Sequence, residues 1–386
     1  MSKPSLHVLS LPHTQTTKEY TACAYTTKAI RFCNMMTSLG YKVYLYASED
    51  NEANVEELIT IQTKEDQQRW FGNNNFHTNF FNITWGPTEQ HWVESNSRAI
   101  EEIKKRSSKE DIVCVIAGVC QQQIAKGLPD LKTIEYGIGY SGVFADYKVY
   151  ESYAWMHYVQ GMVKNDWGQF FDTVIPNYFD VNDFLFSAEK EDYYLWMGRF
   201  ISRKGPDIAV EVTKRLGAKL IMAGQGVNEN VTNNGVTTII GDEITVSGSH
   251  IEHIGHVGVE ERKKLLAGAK AVFMPTTYLE PFGGVSIEAM LSGTPVIATN
   301  FGAFSENVPH GLAGYRFSTL GEATHYASMV DNLDPYAIRK YAEQNFSTEV
   351  IKYKYDDYIQ QVSGGKEAYY GNWTGRDDRY TKFMGM

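Results

Sequence analysis

The segment from Pro275 to Glu288 contains the residues best suited to chemistry. It reads PTTYLEPFGGVSIE, and its two carboxylates, Glu280 and Glu288, are eight residues apart. A proline and two adjacent glycines lie between them, so we expect Glu280 on a loop and Glu288 on a helix that begins near Gly284. Glycines allow a phosphate to approach the backbone, and unpaired N–H groups at a helix start favour its negative charge.

Two cations, Arg199 and Lys204, lie upstream in the segment MGRFISRKGPD. An arginine fork and a lysine point charge suit a diphosphate leaving group, because both neutralise the negative charge that grows as the bond breaks. Taken alone, the pair fits a solvated loop equally well. Together with the glycine turn and two carboxylates that can bind hydroxyl groups, it indicates a nucleotide-diphosphate sugar as the ligand.

Alternating strands and helices must position these groups, and the pattern predicts an α/β protein with two domains. Strand 6–11, polar loop 12–18, helix 19–39 and strand 42–47 form the first strand–helix–strand unit. Parallel sheets of this kind bind ligands in a cleft at the carboxyl ends of their strands. The other expected elements are helix 92–105, strand 111–117, short strands near Thr133 and Val149, strand 193–197, helix 206–216, strand 219–223, helix 260–267, strand 271–274, helix 285–291, strand 295–298 and helix 333–361.

The second half of the chain resembles the retaining glycosyltransferases of family four. The resemblance rests on motifs that follow one another in the family's order, among them VIPNYFD, GRFISRKG, AGQG, HIGHV, EPFGGVSIEAMLSGTPVIAT and GAFSEN. It implies the GT-B fold, in which two Rossmann-like parallel-sheet domains face each other across a cleft. Within the family, the first half is similar to a subset of phage, viral and environmental bacterial members.

The resemblance also implies a division of the chain. Residues 1–180 would form the acceptor-side domain, residues 181–345 the donor-binding domain, and residues 346–386 a helix and tail that return to the first domain. Glu280 would bind the transferred sugar, while Arg199 and Lys204 would hold the diphosphate. The remaining donor-binding residues implied are Gly198, Gly226, His256, Val257, Phe282, Gly283, Gly284, Val285 and the ribose-binding Glu288.

The implied reaction is sugar transfer with retention of anomeric configuration, in which the diphosphate accepts the acceptor's proton. Such enzymes use the nucleotide sugar as a co-substrate and need no metal or other cofactor for the chemistry. The chain has no D-x-D pair to anchor a divalent cation. His253 and His256 have HxxH spacing, but we expect them on opposite faces of a strand, which favours a structural role over metal binding.

The first half departs from the family's pattern. Where the family has a glycine-rich loop after the first strand, this chain reads LPHTQTTKEY, and we expect His13, Thr16, Thr17 and Lys18 in the active site. Family members often place a histidine against the sugar after a later strand. The segment IEYGIGYSG places Tyr136 or Tyr140 nearest that position, and His157 is either an acceptor-side residue or an interior histidine.

Composition limits the remaining possibilities. The 386 residues are 43% apolar with a net charge of −10, and the halves divided after residue 180 carry −5 each, which disfavours broad nucleic-acid binding. The basic run 104–109 fits a solvated helix end. No signal peptide or transmembrane segment is expected, and four cysteines without a CxxC pair favour a reducing compartment, the cytoplasm or a host's cytoplasm.

Three functions stay open for these features. The first is a hexosyl- or pentosyltransferase acting on a hydroxyl of a glycan, a lipid-linked glycan or a small molecule. The second transfers the sugar to a hydroxylated DNA base, which requires base flipping and a basic groove. The third is a nucleotide-sugar-binding protein without catalysis. Donor sugar, nucleobase, linkage and oligomeric state are not assigned by the sequence, and an epimerase or phosphorylase is disfavoured by the two carboxylates with their cations.

Overall fold

Residues 3–20, 23–73, 83–164 and 171–370 are described by a computed structural model, without the side chains of residues 365–370. The end of the predicted returning tail, residues 371–386, lies outside the described residues.

A seven-stranded parallel sheet, in the order β3-β2-β1-β4-β5-β6-β7, forms the first domain. The strands at its centre, β1 and β4, are buried along their whole length, as expected for a sheet covered by helices on both faces. The elements in chain order are β1 (Leu6–Leu9), α1 (Ala24–Ser38), β2 (Val43–Ser48), β3 (Glu57–Gln62), α2 (Lys64–Phe71), α3 (Gln90–Arg106), β4 (Ile112–Val115), α4 (Gln122–Gly127), β5 (Lys132–Ile138), β6 (Tyr147–Tyr150), α5 (Tyr153–Met162) and β7 (Asp172–Val174).

A six-stranded parallel sheet, in the order β13-β9-β8-β14-β15-β16, forms the second domain, which also has a three-stranded antiparallel sheet, β10-β11-β12. The prediction of two parallel-sheet α/β domains is therefore confirmed. The elements are β8 (Tyr194–Met197), α6 (Pro206–Leu216), β9 (Leu220–Ala223), β10 (Val227–Asn233), β11 (Val236–Gly241), β12 (Thr245–Gly248), β13 (Ile251–His253), α7 (Val259–Gly268), β14 (Ala271–Met274), α8 (Gly284–Leu291), β15 (Val296–Thr299), α9 (Phe304–Asn307), β16 (Gly314–Phe317), α10 (Leu320–Ala327), α11 (Pro335–Phe346) and α12 (Thr348–Tyr370).

The chain passes between the two domains at two adjacent points. The Phe179 N–H donates to the Phe346 carbonyl, and the Thr348 N–H donates to the Phe179 carbonyl, each at 2.9 Å. Beyond the second crossing, α12 packs its buried Tyr355, Tyr358 and other apolar side chains into the core of the first domain. The boundaries at residues 180 and 345 stay predictions, but the two chain crossings lie close to them.

The stretch predicted to be helical over 333–361 consists of two helices, because the chain breaks at Ser347, whose hydroxyl accepts the Val350 N–H at 3.3 Å. Two other local expectations were wrong. Strand β13 ends at His253, so His256 lies beyond the strand rather than on its opposite face. Helix α1 begins at Ala24, five residues later than predicted, and Lys18 and Glu19 lie in a turn instead.

No helix within the described ranges is long and apolar enough to cross a membrane. All four cysteines are free thiols, and Cys33, Cys114 and Cys120 are buried.

Candidate active site

The carboxyl ends of four neighbouring strands bring the predicted donor-side segments together. Strands β13, β9, β8 and β14 are adjacent and parallel, so their carboxyl ends share one edge of the sheet. Residues far apart in sequence therefore lie side by side. Segments 198–204, 224–226, 255–257 and 275–283 all leave the sheet at this edge.

Glycine is required at two positions of this edge. At Gly224, with φ of 144°, a Cβ would lie 1.8 Å from the Gly198 carbonyl oxygen, so only glycine allows the two loops to approach. Gly283 has φ of 79°, and a Cβ there would lie 2.3 Å from the Phe304 ring. The turn it forms brings the chain into α8, whose first backbone N–H groups face the end of the sheet.

Glu280 is held in place by two donors from its own domain. The Lys204 ammonium lies 2.7 Å from its Oε2, and the Tyr278 hydroxyl donates to the same oxygen. Burial and the Glu280 carboxylate raise the pKa of Tyr278, and the charges of Arg203 and Arg199 partly offset this rise. Both bonds end on Oε2 and orient the carboxylate, and neither of them involves Oε1.

Glu288 has the same arrangement. It lies in the second turn of α8, and Arg262 of α7 donates to its Oε2 from Nε at 2.7 Å and also from Nη2. Arg262 and Glu288 are both mostly buried, with 22% and 17% of their side chains exposed. Both nitrogens donate to one oxygen, so this charge-assisted pair holds Oε2 in place.

A cavity of about 450 Å³ lies between the two domains and includes both carboxylates. The second domain contributes Lys204, the glycine turn and part of α7. The first domain contributes Lys18 and one side of α1, together with residues near β5 and β6. The lining residues used below are Lys18, Tyr25, Lys28, Arg31, Gly139, Glu151, Asp183, Lys204, Arg262, Glu280, Phe282, Gly283, Gly284, Val285 and Glu288.

A buried ion pair forms part of the first-domain wall. Lys28 is paired with Glu151, and its ammonium also donates to the Gly137 carbonyl at 2.8 Å. Burial lowers the pKa of Lys28, and the Glu151 carboxylate opposes this effect. The ammonium lies 4.4 Å from the centre of the Tyr25 ring, so the pair sits against an aromatic side chain of the cavity.

Arg31 points from α1 toward the second domain. It donates to the Tyr178 carbonyl at 3.2 Å and lies over the Phe179 ring at 4.7 Å. Burial lowers its pKa, and the nearby carboxylates of Glu288 and Asp183 partly offset that shift. The first domain therefore places a positive charge close to the carboxylate predicted to bind ribose.

The loop after β1 reaches the cavity through Lys18, which lies 3.2 Å from Asp183 in an interdomain contact. His13 instead is buried edge-on against Phe71 and Trp85, and burial lowers its pKa to about 3. Thr16 forms an isolated parallel β-bridge with Asn51. The residues that line the cavity do not include His13, Thr16 or Thr17. They do include Ala24 and Tyr25, at the start of α1.

The two tyrosines and the histidine predicted on the acceptor side lie elsewhere. Tyr136 is fully buried in the first-domain core, stacked on Phe32 with ring centres 4.3 Å apart. The Tyr140 hydroxyl donates to Glu135 at 3.2 Å, although its neighbour Gly139 lines the cavity. His157 lies on the exposed side of α5. None of these three side chains lines the cavity described here.

The remaining donor-side predictions are not among the residues that line the cavity. Arg199 is half-buried, and its Cγ lies 3.4 Å from where a Cβ on Gly226 would be. A Cβ on Gly198 would make only ordinary contacts with the Trp196 ring, at 3.7 Å. Val257 is buried in the second-domain core, and His256 is exposed beside it.

Sequence reasoning missed Tyr25, Lys28, Glu151, Arg262 and Tyr278. Tyr278 was two residues from a predicted site residue, but nothing in its spacing distinguished it from a core aromatic. The others act across long sequence separations, so only the folded chain brings them together. Within the described part of the chain, no cluster of three or more His, Cys, Asp or Glu side chains is arranged to hold a metal ion.

Residues 182–333 match the family described as "Glycosyl transferases group 1". Among curated proteins, an uncharacterized glycosyltransferase of Methanocaldococcus jannaschii is 26% identical over 45% of this chain and 44% of its own length. Glycogen synthase of Mycobacterium tuberculosis is 29% identical over 44% of the chain and 42% of its length. The chain thus spans less than half the length of these curated relatives.

Solved structures resemble nearly the whole chain. AviGT4, a glycosyltransferase involved in avilamycin A biosynthesis, has a TM-score of 0.62 at 19% identity, covering 94% of this chain and 98% of its own. Anabaena HepE in complex with UDP and glucose has a TM-score of 0.60 at 14% identity, covering 93% and 100%. Sucrose-phosphate synthase of Thermosynechococcus elongatus has a TM-score of 0.63 at 16% identity, covering 93% and 99%. The fold is GT-B, and residues 182–333, in its second domain, are similar to the group 1 glycosyltransferases.

Proposed function

We propose that this chain is a retaining glycosyltransferase, which moves a hexosyl or pentosyl unit from a nucleotide-diphosphate sugar to a hydroxyl acceptor without a metal ion. The observation that carries the proposal is the interdomain cavity, where one sheet edge gathers Glu280, Lys204, the glycine turn and Glu288. The group 1 glycosyltransferase match and the GT-B fold support it. HepE was crystallised with UDP and glucose, which supports a donor of that class here.

The cation-bound carboxylates define how the donor is held. Arg262 occupies Oε2 of Glu288, so we assign the ribose hydroxyls to Oε1. Lys204 and Tyr278 occupy Oε2 of Glu280, so a hydroxyl of the transferred sugar bonds to its Oε1. An ammonium has three donors, and Lys204 keeps two for the diphosphate, which Arg199 and the N–H groups around Gly283–Val285 also bind.

The transfer step needs no side-chain nucleophile. The bond between the anomeric carbon and the β-phosphate oxygen breaks, and the acceptor oxygen bonds to that carbon from the same face. The acceptor's proton moves to the departing diphosphate, which leaves with the electron pair. Lys204 stabilises the growing negative charge, while Glu280 faces the positive charge that develops on the sugar ring. Its pairing with a cation suits positioning and electrostatic stabilisation rather than covalent attack.

A panel of nucleotide-diphosphate sugars tests the proposal. Donor binding is measured by thermal shift, since a ligand at a hundred times its dissociation constant stabilises a protein by about 2.7 kcal/mol. Turnover is followed as nucleoside diphosphate release, with and without a chelator. The anomeric configuration of the product is read from its proton coupling constants. Failure of every nucleotide sugar and nucleoside diphosphate to bind would refute the proposal.

The same experiment separates the alternatives. A nucleotide-sugar-binding protein without catalysis would be stabilised by a donor but release no diphosphate with any acceptor. An inverted product would remove the retaining mechanism, and loss of activity on chelation would remove metal independence. A viral or phage origin and an intracellular location stay predictions that this assay does not address.

A further inference from the structure

A half-exposed tryptophan of the first domain contacts a residue that lines the cavity. Trp85 has 49% of its surface exposed, although it is large and apolar. Its ring centre lies 6.3 Å from Tyr25, which lines the cavity, and 5.6 Å from the fully buried Trp92. His13 makes an edge contact on the same ring at 5.8 Å. Three aromatic neighbours therefore hold Trp85 in place while it faces solvent beside the cavity.

Groups that can bind hydroxyls also lie next to Tyr25. The Lys28–Glu151 pair lines the cavity against the Tyr25 ring, and Gly139 gives the pair an open approach because a Cβ there would lie 2.8 Å from Glu151. A pyranose ring has an apolar face of C–H groups and a rim of hydroxyls. It is bound well by an aromatic plane next to charged hydrogen-bonding groups.

We propose that the acceptor is an oligosaccharide. This inference rests on the proposed glycosyltransferase function and names the substrate of the same site. Its terminal sugar enters the cavity at the Lys28–Glu151 pair, and the next ring stacks on Trp85. A nucleobase also stacks on tryptophan, but a nucleic-acid backbone at this position would meet the Glu89 carboxylate, whose Cγ lies 3.3 Å from where a Cβ on Gly86 would be.

Trp85 variants test this substrate class. With a donor identified, initial rates are measured for methyl glycosides, for disaccharides such as maltose, cellobiose and lactose, and for hydroxymethylated duplex DNA. We expect W85A to raise the KM for the preferred disaccharide by about 3- to 10-fold and W85F to stay near wild type. The rate of W85A with the matching methyl glycoside should change less than twofold, because a single sugar in the cavity does not reach Trp85.

Two controls make the outcome decisive. Y336A removes an aromatic side chain that is 65% exposed on α11, away from the cavity, and should leave every KM unchanged. Saturation-transfer NMR of disaccharides on the wild-type protein gives a binding readout that does not depend on how W85A folds. Disaccharides that bind no better than methyl glycosides, or transfer to the DNA instead, overturn the saccharide inference while normal nucleoside diphosphate binding leaves the proposed function standing. Absence of that binding refutes the proposed function, and this inference with it.

Discussion

Replacing Glu280 with glutamine separates a catalytic role from a donor-binding role. The amide keeps the shape of the side chain and accepts a hydrogen bond from Tyr278, so the loop stays folded. What disappears is the negative charge that faces the sugar ring and the charge pairing with Lys204, 2.7 Å away. We expect turnover to fall by about 100- to 1,000-fold, the usual effect of removing one charge-stabilising group from a transition state.

The affinity of E280Q for nucleoside diphosphate should not fall together with its turnover. The Lys204 and Glu280 side chains are 24% and 11% exposed, so their attraction is stronger than that of a surface pair. A charge-assisted bond in such a place contributes about 1.5–3 kcal/mol, and in E280Q that interaction no longer competes with the diphosphate for the ammonium. Nucleoside diphosphate should therefore bind E280Q as tightly as wild type, or up to about threefold more tightly.

Calorimetric titration with nucleoside diphosphate and initial-rate kinetics measure the two effects on one preparation. E211Q is the matched control, since Glu211 pairs with Arg215 at 2.8 Å on the surface of α6. It should match wild type in both assays. Near-normal turnover in E280Q refutes the assigned role, and a loss of affinity equal to the loss of turnover shows that Glu280 acts in binding alone.

Three further changes follow from the contacts of the site. R262M should weaken nucleoside diphosphate binding about 5- to 10-fold but leave pyrophosphate binding unchanged, because Arg262 orients Glu288, the carboxylate that we propose binds ribose. Equal effects on both ligands in calorimetry would contradict this. Burial raises the pKa of Glu135 from 4.5 to about 7, so the folded chain retains a proton that the unfolded chain releases. Unfolding free energy should fall by up to about 3 kcal/mol as pH rises across that interval, and urea titrations of E135Q should lack this decline. E306A removes the carboxylate that accepts the Tyr153 and Ala154 N–H groups at the start of α5, and it should lower the unfolding free energy by about 0.5–1 kcal/mol in the same titrations; no change contradicts a capping role.

Local signals were enough to predict much of the second domain. Helix α6 was predicted with both bounds correct, because Pro206 in its first turn and Gly217 after its last are strong helix boundaries. The antiparallel sheet β10–β12 was missed although its signal was present. Asn234 and Gly235 both have positive φ and form the hairpin turn for which Asn-Gly is preferred. The break at Ser347 was also readable, since serine before an acidic first turn favours a new helix start.

In the candidate site, too, the residues in short motifs could be predicted and the contacts between distant residues could not. Glu280, Glu288 and Lys204 belong to short motifs whose spacing carries the chemistry, and the cavity contains all three. The first-domain wall could not be predicted because its contacts join residues such as Lys28 and Glu151, which are 123 positions apart. The spacing of residues within a short sequence segment does not reveal such pairs. The position of His13 could not be predicted for a related reason. The sequence shows only that it follows the first strand, whereas the aromatic rings of Phe71 and Trp85 that bury it come from distant parts of the chain.

The paired crossing at Phe179 and Phe346 has a mechanical consequence. Because the two chain segments are hydrogen-bonded to each other, we expect the domains to rotate about this point more easily than they slide past each other. The Phe179 ring lies 3.7 Å from where a Cβ on Gly284 would be, at the start of the helix that carries Glu288. Close by, the Ser152 hydroxyl donates to the Pro281 carbonyl at 2.7 Å, and the adjacent Phe282 ring lies 6.3 Å from the Phe179 ring. The part of the cavity that includes Gly284 and Glu288 is thus tied to both domains at the crossing, and we expect its dimensions to change less than those of more distant parts when the domains move.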